Sequence, residues 1–455
     1  MSPVKNLRST QEALAKIIGA EWVSLRNSHL TVSPKTSEEI SQILKLANKL
    51  RIPVSPRGGG TAWWSNTRPK AGGIMIRMNR MNQVRVIDED TMTVTVEAGI
   101  TFSDLESKLN EKGYRIVISP ESGKIATMGG HIETWGTSPY SSSFFEDQDT
   151  QLVGLKVVLP TGDILQTGSG ALTTAAGNFA RRFFPSDLTG LFIGAESAFG
   201  IITEATLKMY KRAEKNTTRM IGFPDLASAT AALRKIQEAQ RSGGLATIAE
   251  QRFMSKEMLY RIIPRLEGKI SGGAEVFLSI RGEGEAADVE HHFSRIRDIT
   301  AEGGVMIEDD VPEWWEGHFG LIPGTALGKG PRVMLVAYVP MGKFLEVESL
   351  AEEFGKSIGI QLSFLGYPIS GPIILAHAII AAEHPAIKTR TRALSQGRKL
   401  MEAMMKMGCV PHRVGTDFLP LVTKKLSPEY YGLVKKIKKL LDPRGILRPE
   451  IIEVM

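Results

Sequence analysis

The chain has 455 residues, 42% of them hydrophobic, and a formal net charge of +7, enough for two or three domains with ample apolar side chains to bury. Its one cysteine, Cys409, excludes an internal disulfide, an iron–sulfur site and a cysteine-based zinc site, and fits a reducing compartment. Met1–Gln11 lacks an apolar signal core, and the longest apolar run, Pro372–Ala382, is too short to cross a bilayer, which predicts a soluble, cytoplasmic protein without a transmembrane segment.

The first clear element is a helix over 36–51, with Ile40, Ile43, Leu44, Ala47 and Leu50 on one face and a capping box in Thr36-Ser37-Glu38-Glu39. Ile52–Pro56 follows as an extended, apolar approach held by Pro53 and Pro56. It ends in Arg57-Gly58-Gly59-Gly60-Thr61, and no carboxylate lies between Arg51 and Lys70. A glycine triplet after a strand reads either as a tight turn or as a loop whose N–H groups close around a diphosphate, so the rest of the chain must decide.

Strands are predicted at 73–78 and 91–96, the second alternating Met92, Val94 and Val96 with threonines. A helix over 103–110 has a second capping box, Ser103 and Glu106, and stops at Gly113. Leu152–Leu159 and Ile164–Thr167 form a hairpin around Pro160-Thr161-Gly162-Asp163, and Leu191–Leu207 continues as strand. Beyond Lys211 longer helices (226–242, 286–302, 345–359) alternate with strands (275–280, 333–339), which places a domain boundary near residue 212.

The pattern Gly282-Glu283-Gly284-Glu285-Ala286-Ala287 matches a dinucleotide fingerprint in spacing, but its two glutamates would repel a diphosphate, so it reads as a strand-to-helix turn. The final helix, 428–441, has Ser427 as cap, Leu433, Ile437 and Leu440 inward, and Lys435, Lys436, Lys438 and Lys439 in water. Between Lys388 and Arg448 there are 15 Lys or Arg against 4 Asp or Glu. Without interleaved aromatics this patch does not read as a nucleic-acid surface. It is either a solvated face or a docking place for an acidic electron-acceptor protein.

Three more segments share order and spacing with the first glycine loop: 119–123, Ala126–Thr134 and Asp187–Glu204, joined by the tail Leu441–Pro449. Together they closely resemble the FAD-binding domain of the vanillyl-alcohol oxidase and p-cresol methylhydroxylase superfamily, nearest to its branch of glycolate oxidase flavoproteins (GlcD-like) and D-lactate dehydrogenases. The resemblance implies an α+β fold. Residues 1–212 would form the FAD-binding domain, 213–419 an α+β substrate-capping domain, and 420–455 a C-terminal segment returning to the FAD domain. By the same likeness Arg57, Gly58, Gly59, Gly60 and Thr61 would hold the FAD diphosphate. Pro120, Thr127, Gly129, Gly130, Thr134 and Gly136 would line diphosphate and flavin, and Gly200, Ile201 and Ile202 the adenine side.

Relatives that tether flavin through the first loop place a histidine where this chain has Thr61, which implies non-covalent FAD. The metal-binding His-x-Gly-Asp-Gly-Asn-x-His and Glu-His-Gly segments of the hydroxy-acid branch are absent, so no metal ligands are assigned. Gly366–His377 and Pro411–Gly415 stand in their places. A flavin takes hydride from a carbon bearing a hydroxyl, and the protein must receive the hydroxyl proton. His412 as proton acceptor and Arg413 as electrostatic group resemble the Tyr-Arg pair of aromatic-alcohol members; both also read as anchors of the C-terminal segment. His377, in an apolar stretch, is either a core residue or a catalyst, and Tyr367 is a candidate pocket phenol.

The expected function is FAD-dependent dehydrogenation of a small hydroxylated substrate, a 2-hydroxy acid or related alcohol. The alternatives are a p-hydroxybenzyl-type alcohol oxidase and a non-catalytic flavin subunit of a larger electron-transfer complex. The partners expected are the small-molecule substrate, an acceptor protein near the basic C-terminal region, and further subunits or copies of the chain.

Overall fold

The computed structural model describes residues 3–26, 28–62, 69, 72–118, 120–136, 138, 148–184, 186–268, 270, 273–307, 332–362, 364–369, 372–381, 386–412 and 414–454. Helices and sheets segregate as an α+β fold around two large cores.

The first core belongs to two small sheets. In one, the strands run in the order Val23–Arg26, His29–Val32, Ile74–Arg77, Val54–Arg57, the first pair antiparallel and the others parallel. The helix Ser37–Leu50 supplies the crossover that parallel pairing needs. Thr36 caps it by accepting from the Glu39 N–H at 3.1 Å, and Ile40, Ile43, Leu44 and Ala47 are fully buried. The second sheet is antiparallel, in the order Val84–Asp88, Thr93–Glu97, Ile201–Lys208, Leu152–Val158, Ile164–Gln166.

Local chemistry corrects two expectations here and adds one strand. Thr101, not Ser103, caps the helix Phe102–Asn110, accepting from the Asp104 N–H at 3.1 Å. Starting one residue earlier puts Phe102, Leu105 and Leu109 on the buried face. The stretch 191–207 is not one strand, because Asp187 caps a short helix, Leu188–Phe192, and pairing begins only at Ile201. Val84–Asp88 is a further strand with no fully buried residue, outside the elements predicted from the sequence despite its short Val84-Arg85-Val86 alternation.

The second core belongs to an eight-stranded antiparallel sheet in the order Val305–Ile307, Lys215–Phe223, Val276–Gly284, Ile248–Ser255, Phe364–Ile369, Ile373–Ala381, Arg332–Pro340, Val410–Pro411. Helices Leu226–Arg241, Ala286–Thr300, Phe344–Ser357 and Arg390–Lys406 cover one face. Side chains alternate across a strand, so along Ile373–Ala381 the residues Ile374, Ala376 and Ile380 meet the helices. Leu375, His377 and Ile379 therefore point to the opposite face, and that register aims His377 away from the helical core.

The last helix, Pro428–Leu441, is capped by Ser427 but buries a different face from the one its leucines suggest. Val434, Ile437 and Leu441 pack on the first core and Lys438 is 5% exposed, whereas Leu433 and Leu440 are 57% and 78% exposed. Lys438 lies inward because Nζ donates to the carbonyls of Ala198 and Leu447 and to Asp442 Oδ2. A buried ammonium is tolerated only with such partners. The chain after this helix then adds itself to the first sheet through a parallel bridge between Val54 and Leu447. Among the described residues no helix is long and apolar enough to cross a membrane.

Candidate active site

Strand Val54–Arg57 is gripped on both sides. It pairs with Ile74–Arg77, and the Val54 N–H and carbonyl bond to Ile446 and Arg448 at 2.8 and 3.0 Å. Past Arg57, the last paired residue, the glycines leave the ladder and bend back over the segment 125–130. Gly60 has φ +71, and a Cβ on Gly59 would run into the Ile125 carbonyl. The triplet is therefore a sterically required bend.

Opposite it, Thr127 opens the helix Met128–Glu133. Its hydroxyl is buried without a hydrogen-bond partner in the protein and lines a cavity bounded by the glycine loop. A phosphoryl or ring oxygen would satisfy it, and the close backbone walls suit a flat, anionic guest.

The floor of this cavity is tied by charge and hydrogen bonds. Glu133 accepts from the Ser197 N–H at 2.6 Å and the Ile202 N–H at 3.1 Å. Burial pushes its carboxyl up to about 8. Glu196 and Ser197 both have positive φ, 48° and 62°, so this turn is strained, and Glu133 is one of the groups that hold it. Arg448, from the C-terminal segment, reaches Glu196 at 3.3 Å and also pairs with Glu450.

The far wall comes from the eight-stranded sheet: Met334, Leu365, Ile379 and His377. Glu121 faces the cavity from the first lobe, with Tyr367 donating to it and Arg252 Nη1 at 3.4 Å. Arg252 is fully buried and also pairs with Glu250. Burial, and after it the Glu121 charge, hold the Tyr367 phenol well above its ordinary range, so it is a neutral hydroxyl at physiological pH.

The structure thus brings Arg57, Gly58, Gly59, Gly60, Thr61, Pro120, Thr127, Gly129, Gly130, Thr134, Gly136, Ile201, Ile202 and His377 around one cavity. Gly200 stands off it, packed on Val157 and Phe192. Tyr367 lies behind Glu121, its ring edge-on to His377 at 5.1 Å. His412 lines a second cavity with Trp135, Ile193, Tyr338 and Val414, which shares only Thr134 and Glu196 with the first. Arg413 lies outside the described residues. Sequence reasoning does not single out Glu121, Glu133, Arg252 or Arg448. Glu250 and Arg252 are charges within Ile248–Ser255, whose eight residues are all buried, and that burial is visible only in the fold.

A mixed-sheet lobe with a glycine cradle, closed by an antiparallel sheet under helices, defines a flavoprotein oxidoreductase. The chain belongs to the FAD-linked oxidases: residues 28–168 match the FAD binding domain and 212–451 the C-terminal domain of FAD linked oxidases. FAD is its cofactor. It is 26% identical over 434 residues to glycolate oxidase subunit GlcD of Bacillus subtilis, covering 92% of this chain and 87% of that one. It is 27% identical over 431 residues to the mitochondrial D-lactate dehydrogenase [cytochrome] of Arabidopsis thaliana, covering 92% and 72%. Its fold is that of 4-ethylphenol oxidase from Gulosibacter chungangensis in an isoeugenol complex (TM-score 0.80, 17% identity, 97% of this chain and 96% of that one). It is equally that of p-cresol methylhydroxylase with substrate bound (TM-score 0.82, 16% identity, 96% and 95%).

Proposed function

We propose that the chain dehydrogenates a small hydroxylated substrate, a 2-hydroxy acid or related alcohol, with FAD held non-covalently in the cavity of Arg57–Thr61, Thr127–Gly136 and Ile201–Ile202. The observation that carries this reading is the single cavity walled by the glycine cradle on one side and by His377, Met334, Leu365 and Ile379 on the other. FAD, when bound, accepts the hydride that leaves the carbinol carbon.

The glycine loop and the Thr127 hydroxyl bind the diphosphate and fix the cofactor's place. Met334, Leu365 and Ile379 exclude water from the carbon that reacts. The His377 imidazole takes the hydroxyl proton as the carbon–hydrogen bond breaks. Relatives whose names specify glycolate and D-lactate favour the hydroxy-acid side of this class. A second reading, an aromatic alcohol, draws on the three apolar side chains around His377.

Anaerobic titration of the yellow protein with D- and L-hydroxy acids and aromatic alcohols tests the reading. Bleaching by one class names the substrate. Bleaching by none, in a protein that retains FAD, leaves a non-catalytic flavin subunit.

A further inference from the structure

The strand that carries His377 is fastened to the flavin lobe on both of its sides. In the eight-stranded sheet Ile373–Ala381 lies between Phe364–Ile369 and Arg332–Pro340, and Leu375 pairs with Tyr367 on one side and with Tyr338 on the other. Residues opposite one another across strands share a face, so the two tyrosines stand in one row about 10 Å apart. His377 lies on the same face, about 7 Å farther along its strand.

Each tyrosine reaches the first lobe. Tyr367, fully buried, donates to Glu121, whose Oε1 also lies 3.4 Å from Arg252 Nη1. The Arg252 guanidinium is 5.6 Å from the Tyr367 ring centre, so the phenol is backed by a buried cation. Tyr338 accepts from Trp135 Nε1 at 2.8 Å. Trp135 stands between Thr134 and Gly136, both of which line the cofactor cavity, and its φ of +49 is a strained backbone for a bulky residue.

We propose that Tyr367 and Tyr338 are positioning residues, whose bonds to Glu121 and Trp135 set the distance between the wall that bears His377 and the flavin held by the cradle. A single bond would let the sheet turn about one point. Two, on either side of the strand, stop the wall from swinging sideways across the cavity. The Tyr367 ring, edge-on to His377 at 5.1 Å, carries the constraint to the imidazole. The part played by His377 rests on the chemistry proposed above, whereas the fastening of the wall does not.

The test uses the FAD-loaded full chain with Tyr367→Phe, Tyr338→Phe and the two together, which keep the rings and remove the hydroxyls. Tyr210→Phe, which loses a 2.8 Å bond to Gln151 inside the first lobe, is the control. Iodide quenching of flavin fluorescence reads, without any substrate, how closely the wall covers the bound flavin. It should become roughly threefold steeper in the double variant and stay unchanged in Tyr210→Phe. Flavin reduction by the compound that bleaches the parent should slow roughly tenfold in each single variant and roughly a hundredfold in the double, at constant FAD content. Parent-like quenching in the double variant overturns the proposal. So does an equal slowing in Tyr210→Phe, which would make the loss one of general stability. If no hydroxy compound bleaches the parent, the substrate reading fails and the quenching alone decides the fastening.

Discussion

Glu133 Oε2 accepts the Ser197 N–H at 2.6 Å while Oε1 takes the Ile202 N–H at 3.1 Å, so one carboxyl fastens the helix of the second glycine pair to the entry of the central strand. Burial pushes this acid from an ordinary 4.5 up to about 8. The folded state therefore binds a proton that the unfolded chain releases near 4.5. The stabilisation is complete below that value and is lost as pH rises through about 8.

Glu133→Gln should flatten the decline in stability across that window, read as urea midpoints from acid to alkaline pH. Equal slopes for the two proteins would show that Glu133 does not titrate in it.

Gly59→Ala should strip the flavin, because the new Cβ would strike the Ile125 carbonyl rather than a side chain that can swing aside. The expected loss is at least roughly tenfold in the ratio of visible to ultraviolet absorbance after purification. Gly432→Ala is the control: nothing lies within 4 Å, and the helix should gain about 0.5–1 kcal/mol. A yellow Gly59→Ala protein would remove the steric account of the loop.

Lys438→Met should cost about 3–5 kcal/mol in chemical unfolding, since it leaves the buried Asp442 carboxylate with the Ile446 and Leu447 N–H donors but without its countercharge. Adding Asp442→Asn should recover part of that loss by removing the uncompensated charge. A single variant as stable as the parent would mean that the ion pair contributes nothing there.

Under the proposed chemistry, His377→Gln should slow flavin reduction by roughly 10²–10⁴-fold while flavin content stays constant. His412→Gln, in the neighbouring cavity, should have a much smaller effect. The comparison is a stopped-flow measurement of bleaching, and a larger loss at His412 would move the proton acceptor to the second cavity.

Much of this architecture is written locally. The helix at 37–50, the hairpin at 152–166 and the long helices of the second lobe follow from caps, turns and period, and each occurs within a residue or two of its expected place. The glycine triplet and the segment 126–136, far apart in sequence, point to one ligand and line one cavity.

What local reading cannot reach is set by distant partners. Lys438 resembles its solvated neighbours until the carbonyls of Ala198 and Leu447 are placed beside it. Arg252 and Glu121 meet only across the lobes, and no pattern near either residue encodes that. His377, in an apolar stretch, and His412, beside Arg413, are both candidate proton acceptors in sequence, and only the fold places them in different cavities.

The bridge from Val54 to Leu447 also bears on assembly. During synthesis the strand that launches the cradle waits, one neighbour short, until a segment several hundred residues downstream has left the ribosome. Loading of FAD is on this account a post-translational event, and truncated nascent chains that stop before residue 446 should emerge unable to retain it.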